Sequence, residues 1–144
     1  MDTEGMDKWE KMYKKHEVIK KFPIQNGMDR EIDYLYIKMP VNLTDREVVQ
    51  EKKVWQQFNG NPSNMLIVQR STTNSKYPIQ EKPIRADLIV SGMYLKEVSP
   101  QETLFYSINH LDNKMTTGKA DSDNQLCERE KLFLPNLIKA ISEN

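Results

Sequence analysis

Few residues in this sequence have the types and spacing that support chemistry on their own. His16 and His110 lie far apart, and neither has an acidic or histidine companion at the short helical spacing that builds a zinc site. Each reads as a surface or hydrogen-bonded histidine. Asp121, Asp123 and Asn124 resemble a calcium loop only in part, because the central glycine and the closing bidentate glutamate are missing. A single cysteine, Cys127, excludes an internal disulfide and a thiolate zinc cage, both of which need partners. Asn42-Leu43-Thr44 satisfies the glycosylation pattern, which acts only on a secreted chain. No phosphate-cradling glycine loop or nucleophile elbow is present, and five glycines in 144 residues leave little material for one. These residues point to no catalytic apparatus, metal or cofactor.

The bulk properties exclude further classes. Lysine plus arginine equals aspartate plus glutamate at 21 each, so no overall field attracts nucleic acid, and the Lys14-Lys15 and Lys52-Lys53 pairs lack stacking aromatics beside them. The longest apolar runs, such as Met65-Leu66-Ile67-Val68, are far too short to span a bilayer. An acidic start, Met1-Asp2-Thr3-Glu4-Gly5, lacks the basic and apolar regions of a secretory signal, which implies a cytoplasmic location with at most peripheral membrane contact.

Residues 7–15 read as a short amphipathic helix, with Trp9, Met12 and Tyr13 on one face. Strand character follows over residues 16–22 and 30–39, joined by a hairpin turn at Asn26-Gly27. Pro40 ends the second strand, and Thr44-Asp45-Arg46-Glu47 reads as a turn before a strand over 48–56. After a loop at 59–63 come strands over 64–70, 84–95 (with a bend at Gly92) and 103–111. Lys76-Tyr77-Pro78 and Lys82-Pro83 mark the connecting loop between the first two of these. A polar stretch over 112–124 leads to a C-terminal segment with helical period, in which Leu126, Phe133, Leu137 and Ile141 recur beside Leu134 and Ile138, and Pro135 kinks the helix. One domain of sheet plus helix is expected, with no internal repeat.

Several of these segments, taken in order, carry a resemblance. Trp9-Glu10 after a helix, Tyr34-Leu35-Tyr36-Ile37-Lys38-Met39-Pro40 running into Thr44-Asp45-Arg46-Glu47, Arg70-Ser71, Tyr77-Pro78, Ile84-Arg85-Ala86 and Leu134-Pro135-Asn136-Leu137-Ile138 together resemble the StAR-related lipid-transfer (START) family. The resemblance implies an α+β helix-grip fold, in which a long C-terminal helix packs over a curved antiparallel sheet. Residues 1–144 then form a single START-like domain without the family's N-terminal helix and first strands. The polar Lys119-Ala120-Asp121-Ser122-Asp123 departs from the family's stretch before the last helix.

Function also follows as an expectation from the resemblance: a non-enzymatic carrier or sensor that holds one lipid in an apolar cavity and exchanges it at a membrane surface. Strand alternation over the matched segments turns Leu35 and Ile37, then Val48, Gln50, Lys52 and Val54, then Arg85, Asp87 and Ile89 toward that cavity. Leu104, Tyr106 and Ile108 form a similar apolar face on the last strand, and Leu137, Ile138 and Ile141 face it from the helix. The family's choline-binding aromatics are matched here by the aliphatic Leu35, Val48 and Ile89, which favours a sterol, ceramide or other weakly polar lipid over a choline headgroup. Lys52 matches a cation that anchors a polar ligand group in sterol-binding relatives, and burial there requires a carboxylate such as Asp87, a ligand group or water. Its alternative is to snorkel to solvent. A second reading is an interaction module whose exposed sheet edge pairs with another copy or a partner chain. An enzyme would need Lys52 and Asp87 as an acid and base pair.

Overall fold

The computed structural model describes residues 13–39 and 43–115, together with Pro135 and Ile138. Its strands are β1 (Tyr13–Lys21), β2 (Met28–Ile37), β3 (Arg46–Gln56), β4 (Asn64–Ser71), β5 (Ile84–Arg85), β6 (Asp87–Ser99) and β7 (Glu102–Asp112), with a 3-10 turn at Phe58–Gly60. They form one sheet in the order β1-β2-β3-β4-β6-β7, and β5 lies parallel beside the start of β3. All other pairings are antiparallel, as expected from short connections.

Local chemistry explains the hairpins. Asn26 and Gly27 both have positive φ, at 51° and 71°, and Gln25 and Met28 exchange two backbone hydrogen bonds of 2.9 and 3.2 Å across them. That is the two-residue turn whose twist suits antiparallel strands. Asp45 closes the β2–β3 connection, accepting the Met39 amide at 2.9 Å and the Tyr36 hydroxyl at 2.8 Å. The Met39 amide, then the Tyr36 hydroxyl, hold the Asp45 carboxyl below its ordinary value.

Cross-strand partners share a face, so the registers assign every strand residue to one of two faces. Leu35 pairs with Val48, Asp33 with Gln50 and Glu31 with Lys52. Lys52 pairs onward with Gln69, and Val54 with Ile67. Ile67 pairs with Met93, which pairs with Ser107. These residues form the Leu35 face. Its buried apolar cluster contains Leu35, Ile37, Val48, Ala86 and Leu88, with Met39 and Leu111 packed against it. The opposite, Tyr34 face carries the fully buried Val49.

Four expectations need correction. Tyr13, Lys14 and Lys15 belong to β1 rather than to a helix, because pairing with Tyr36 and Ile37 outweighs a weak local preference; residues 7–12 lie outside the described residues. Arg46 and Glu47 are strand, not turn, since β5 pairs with both. The single strand expected over 84–95 is divided: it runs unbroken through Gly92 but breaks at Ala86, and its register shifts between Leu88 and Val90, where the Leu88 amide donates to Ser71 Oγ at 2.8 Å. A Cβ on Gly92 would lie 3.1 Å from Ile108 Cγ2, so this glycine permits close packing across strands. Finally, nothing described supports a long C-terminal helix packed over the sheet. Pro135 and Ile138 have helical backbone and are exposed, while Leu126, Cys127, Phe133, Leu134, Leu137 and Ile141 lie outside the described residues, as do Asn42 and the 119–124 stretch.

Candidate functional site

The Leu35 face changes character along β2 and β3. Past the apolar cluster it becomes charged while staying buried: Asp33 is 1% exposed and Lys52 is 6% exposed. The Lys52 ammonium contacts a Glu31 carboxylate oxygen and lies 3.7 Å from Asp33 Oδ2. His16 Nε2, from β1, lies 3.5 Å from the same Asp33 oxygen. Burial strips these groups of water, and only close opposite charge makes that tolerable. Hydrogen bonding is incomplete, however, because neither carboxylate oxygen of Asp33 has a hydrogen-bond partner among the described residues. A buried carboxylate in that condition is an acceptor for a donor group from outside the sheet.

At the same strands' other end, an open cavity of about 370 Å³ is lined by polar Gln56, Asn64 and Thr103 together with Met65 and Leu95. The Asn64 Oδ1 there is buried and unpaired. This lining is mixed rather than purely apolar. Arg46, also on the Leu35 face, donates from Nε to the Asn113 carbonyl at 2.6 Å and from a guanidinium nitrogen to the Thr44 carbonyl. Its burial lowers its pKa from the ordinary arginine value. The residue ties the β2–β3 connection and the segment just after β7 to the sheet.

On the Tyr34 face a second polar cluster holds the loop between β4 and β5. Tyr77 stacks on Tyr34 with centroids 3.8 Å apart and planes 12° from parallel. The Tyr34 hydroxyl donates to Glu47 Oε2 at 3.0 Å, and Arg85 grips Glu47 Oε1 at 2.9 and 2.8 Å. Burial, then Glu47, raise the Tyr34 pKa. Glu17 accepts from Lys15 at 2.8 Å, from Lys76, and from the Tyr77 hydroxyl at 2.6 Å. The lysines and then the hydroxyl hold its carboxyl at about 2. These charges satisfy one another and serve to dock the loop. Sequence reasoning took Tyr77-Pro78 as a loop marker and as one segment of the family resemblance, and no local pattern connects Glu17 to residues about sixty positions away.

A family model for the START domain matches residues 1–120. The chain belongs to the START family. Solved structures similar to this START-family chain include human STARD10 (19% identity, TM-score 0.84, covering 96% of this chain and 54% of that one). Human StAR-related lipid transfer protein 5 is similar at 16% identity and TM-score 0.78, covering 94% and 63% of the two chains. The human StarD13 (DLC2) lipid transfer and protein localization domain is similar at 14% identity and TM-score 0.70, covering 87% and 61%. The chain thus spans roughly half to two-thirds of these structures' lengths, and the likeness shows a shared fold. No curated protein matches.

Of the residues that the resemblance assigns to a lipid site, Leu35, Ile37, Val48 and Lys52 share one buried face of this START-family chain. Asp87 does not join Lys52. It is exposed at the start of β6, paired with Asp112, and the carboxylates at Lys52 come from the adjacent β2 instead. Lys52 and Asp87 therefore form no acid and base pair. Ile89 is 48% exposed at the register shift, and the residues buried nearby are Ala86 and Leu88. One extra residue in the strand moves its alternation by one position. Tyr106 and Ile108 are 58% and 63% exposed. They pair with Tyr94 and Gly92, on the opposite face from Ser107 and hence from Leu35. Leu104 lies with them and is exposed as well. Ile138 is exposed, and Leu137 and Ile141 lie outside the described residues. Among the described residues no cluster of three acidic, histidine or cysteine side chains could hold a metal ion, and no helix is long and apolar enough to cross a membrane.

Proposed function

We propose that this chain binds one lipid across the Leu35 face. The hydrocarbon lies toward Leu35, Ile37 and Val48, and the polar end lies at Lys52 and Asp33. The observation that carries this reading is the buried Asp33 carboxylate beside Lys52, with both oxygens lacking a hydrogen-bond partner. A lipid hydroxyl is a donor of suitable size, and each methylene withdrawn from water adds about 0.8 kcal/mol. Aliphatic side chains at Leu35 and Val48 offer no aromatic face to a quaternary ammonium, which favours a sterol or ceramide over a choline phospholipid. In the same reading the chain is a non-catalytic carrier or sensor that exchanges its lipid at a membrane surface.

Native mass spectrometry after incubation with vesicles containing cholesterol, ceramide or phosphatidylcholine tests the proposal. One sterol or ceramide per chain is expected. Asp33→Asn keeps the side-chain shape and should weaken retention at least about 10-fold, as loss of a hydrogen bond to a charged group does. Absence of any lipid adduct across the whole vesicle series would reject the reading.

A further inference from the structure

His16 lies in β1 opposite Leu35, and its buried side chain shares a face with Asp33 and Lys52. Its Nε2 lies 3.5 Å from Asp33 Oδ2, and Lys52 Nζ, from β3, lies 3.7 Å from the same atom. Both distances exceed an ordinary hydrogen bond, so this oxygen is approached by two nitrogens and accepts from neither. Strand register fixes the arrangement: Val18 and Gln50 flank Asp33 directly, and His16 and Lys52 each stand two positions from them, on the diagonals that long side chains can reach. Lys52 offsets one of the two carboxylates, Glu31 and Asp33, so the cluster carries one net negative charge while His16 is neutral and none once it is protonated. Imidazole is the side chain whose ordinary titration falls between about pH 5 and 8. The other charged groups on this face of β1, β2 and β3 are engaged elsewhere: Lys21 is exposed opposite Glu31, Asp29 meets Gln56 near the hairpin, and Arg46 is held by the Thr44 and Asn113 carbonyls. Gln50 and Gln69, opposite Asp33 and Lys52, are neutral.

We infer that His16 is a positioning residue of the lipid site, whose proton switches Asp33 from an acceptor open to a lipid hydroxyl at neutral pH to one engaged by imidazolium in mild acid. The inference rests on the lipid reading of the Leu35 face. A protonated ring carries a donor on each nitrogen, and a movement of roughly 0.7 Å turns the 3.5 Å contact into a charge-assisted hydrogen bond of about 2.8 Å. That bond takes up one carboxylate oxygen and offsets the charge that makes the other a strong acceptor. A lipid hydroxyl then has a weaker partner, and the lipid leaves more readily. The direction is acid release: lipid is held above the imidazole range and shed below it. Protonation also brings the buried cluster to neutrality, so release does not require the sheet to unfold.

Two measurements on the whole chain provide the test. In the lipid-free protein, NMR follows the Asp33 carboxyl carbon and the His16 ring between about pH 8 and pH 5; of the two histidines, His16 is the one whose ring signal remains in His110→Gln. The Asp33 signal should shift with the same midpoint as the His16 ring. Chain loaded from vesicles containing cholesterol or ceramide is then washed at about pH 7.5 or about pH 5.5, and retained lipid is measured by native mass spectrometry. Retention should fall about 10-fold in acid, the scale of one hydrogen bond to a charged group. The ratio between the two conditions should drop to about 1 in His16→Gln and stay near 10-fold in His110→Gln, whose histidine is exposed on β7. Circular dichroism at both pH values checks that the sheet persists. If His16→Gln fails to fold, the NMR midpoints decide the question by themselves. An Asp33 signal indifferent to the His16 titration overturns the inference whether or not lipid binds, as does equal retention in both conditions or a ratio unchanged in folded His16→Gln. Coupled signals with no lipid adduct in either condition overturn the lipid reading, and the inference falls with it.

Discussion

Lys52 stands between Glu31 and Asp33 on a buried face, and each group's presence is tolerable only because of the others. Lys52→Ala leaves the buried Asp33 carboxylate and the partly buried Glu31 carboxylate without their ammonium and should destabilise the fold by about 3–5 kcal/mol in urea denaturation. Combining Lys52→Met with Glu31→Gln and Asp33→Asn removes every one of those charges and should recover most of that loss; a triple variant as unstable as Lys52→Ala would show that the charges are not the cause. Ile67, buried completely in β4, gives a comparison without charge: Ile67→Ala should cost about 2–5 kcal/mol by the same measurement. At Glu17 the prediction concerns pH. Its carboxyl is held at about 2 against an ordinary 4.5, so its contribution is complete above 4.5 and is lost as pH falls toward 2. Exchange protection of the Tyr77 amide, which donates to Asn74 within the docked loop, should persist from pH 7 to about 4.5 and decline below it. In Glu17→Gln that decline should be absent.

At the scale of elements, turn chemistry was legible because it is local. Asn26-Gly27 requires positive φ at both positions whatever surrounds it, and the two-residue hairpin formed where expected. Gly27→Ala should therefore destabilise the chain by about 1 kcal/mol, measured as a lower denaturation midpoint with unchanged slope. The break in the penultimate strand was not legible. Gly92 attracts attention as a potential bend, yet it lies within a continuous strand, and the shift at Ile89 depends on Ser71 taking the Leu88 amide from a neighbouring strand. Side-chain alternation continues correctly only until the first such shift. For that reason Arg85, Asp87 and Ile89 were expected in place of Ala86 and Leu88. Residues 13–15 make the same point, since helix formers joined a sheet when an antiparallel partner was available.

For the whole molecule, membership of the START family is the setting for the lipid site proposed on the Leu35 face. A ligand that binds only the folded state stabilises it by mass action, by about 2.7 kcal/mol at a hundred times its dissociation constant. For a chain of this size that corresponds to roughly 5–10 °C in thermal midpoint. Scanning calorimetry with saturating cholesterol or ceramide should show that rise, and Asp33→Asn should show less of it. An unchanged midpoint with every lipid tried would count against the proposed site.

The sequence by itself determined the approximate strand positions apart from the starts of β1 and β3 and the break at Ala86, the hairpin turn and the family, because these rest on turn residues, alternation and short motifs that act within a few positions. It also placed Leu35, Ile37, Val48 and Lys52 on adjoining strands with the correct alternation. Only the tertiary structure decided that Lys52 takes its carboxylates from β2 rather than from Asp87, and that Tyr106 and Ile108 look away from Leu35. The physical reason is that partner choice and facing are properties of register. Register is set by all the strands at once, and a single displaced residue reverses every side chain beyond it.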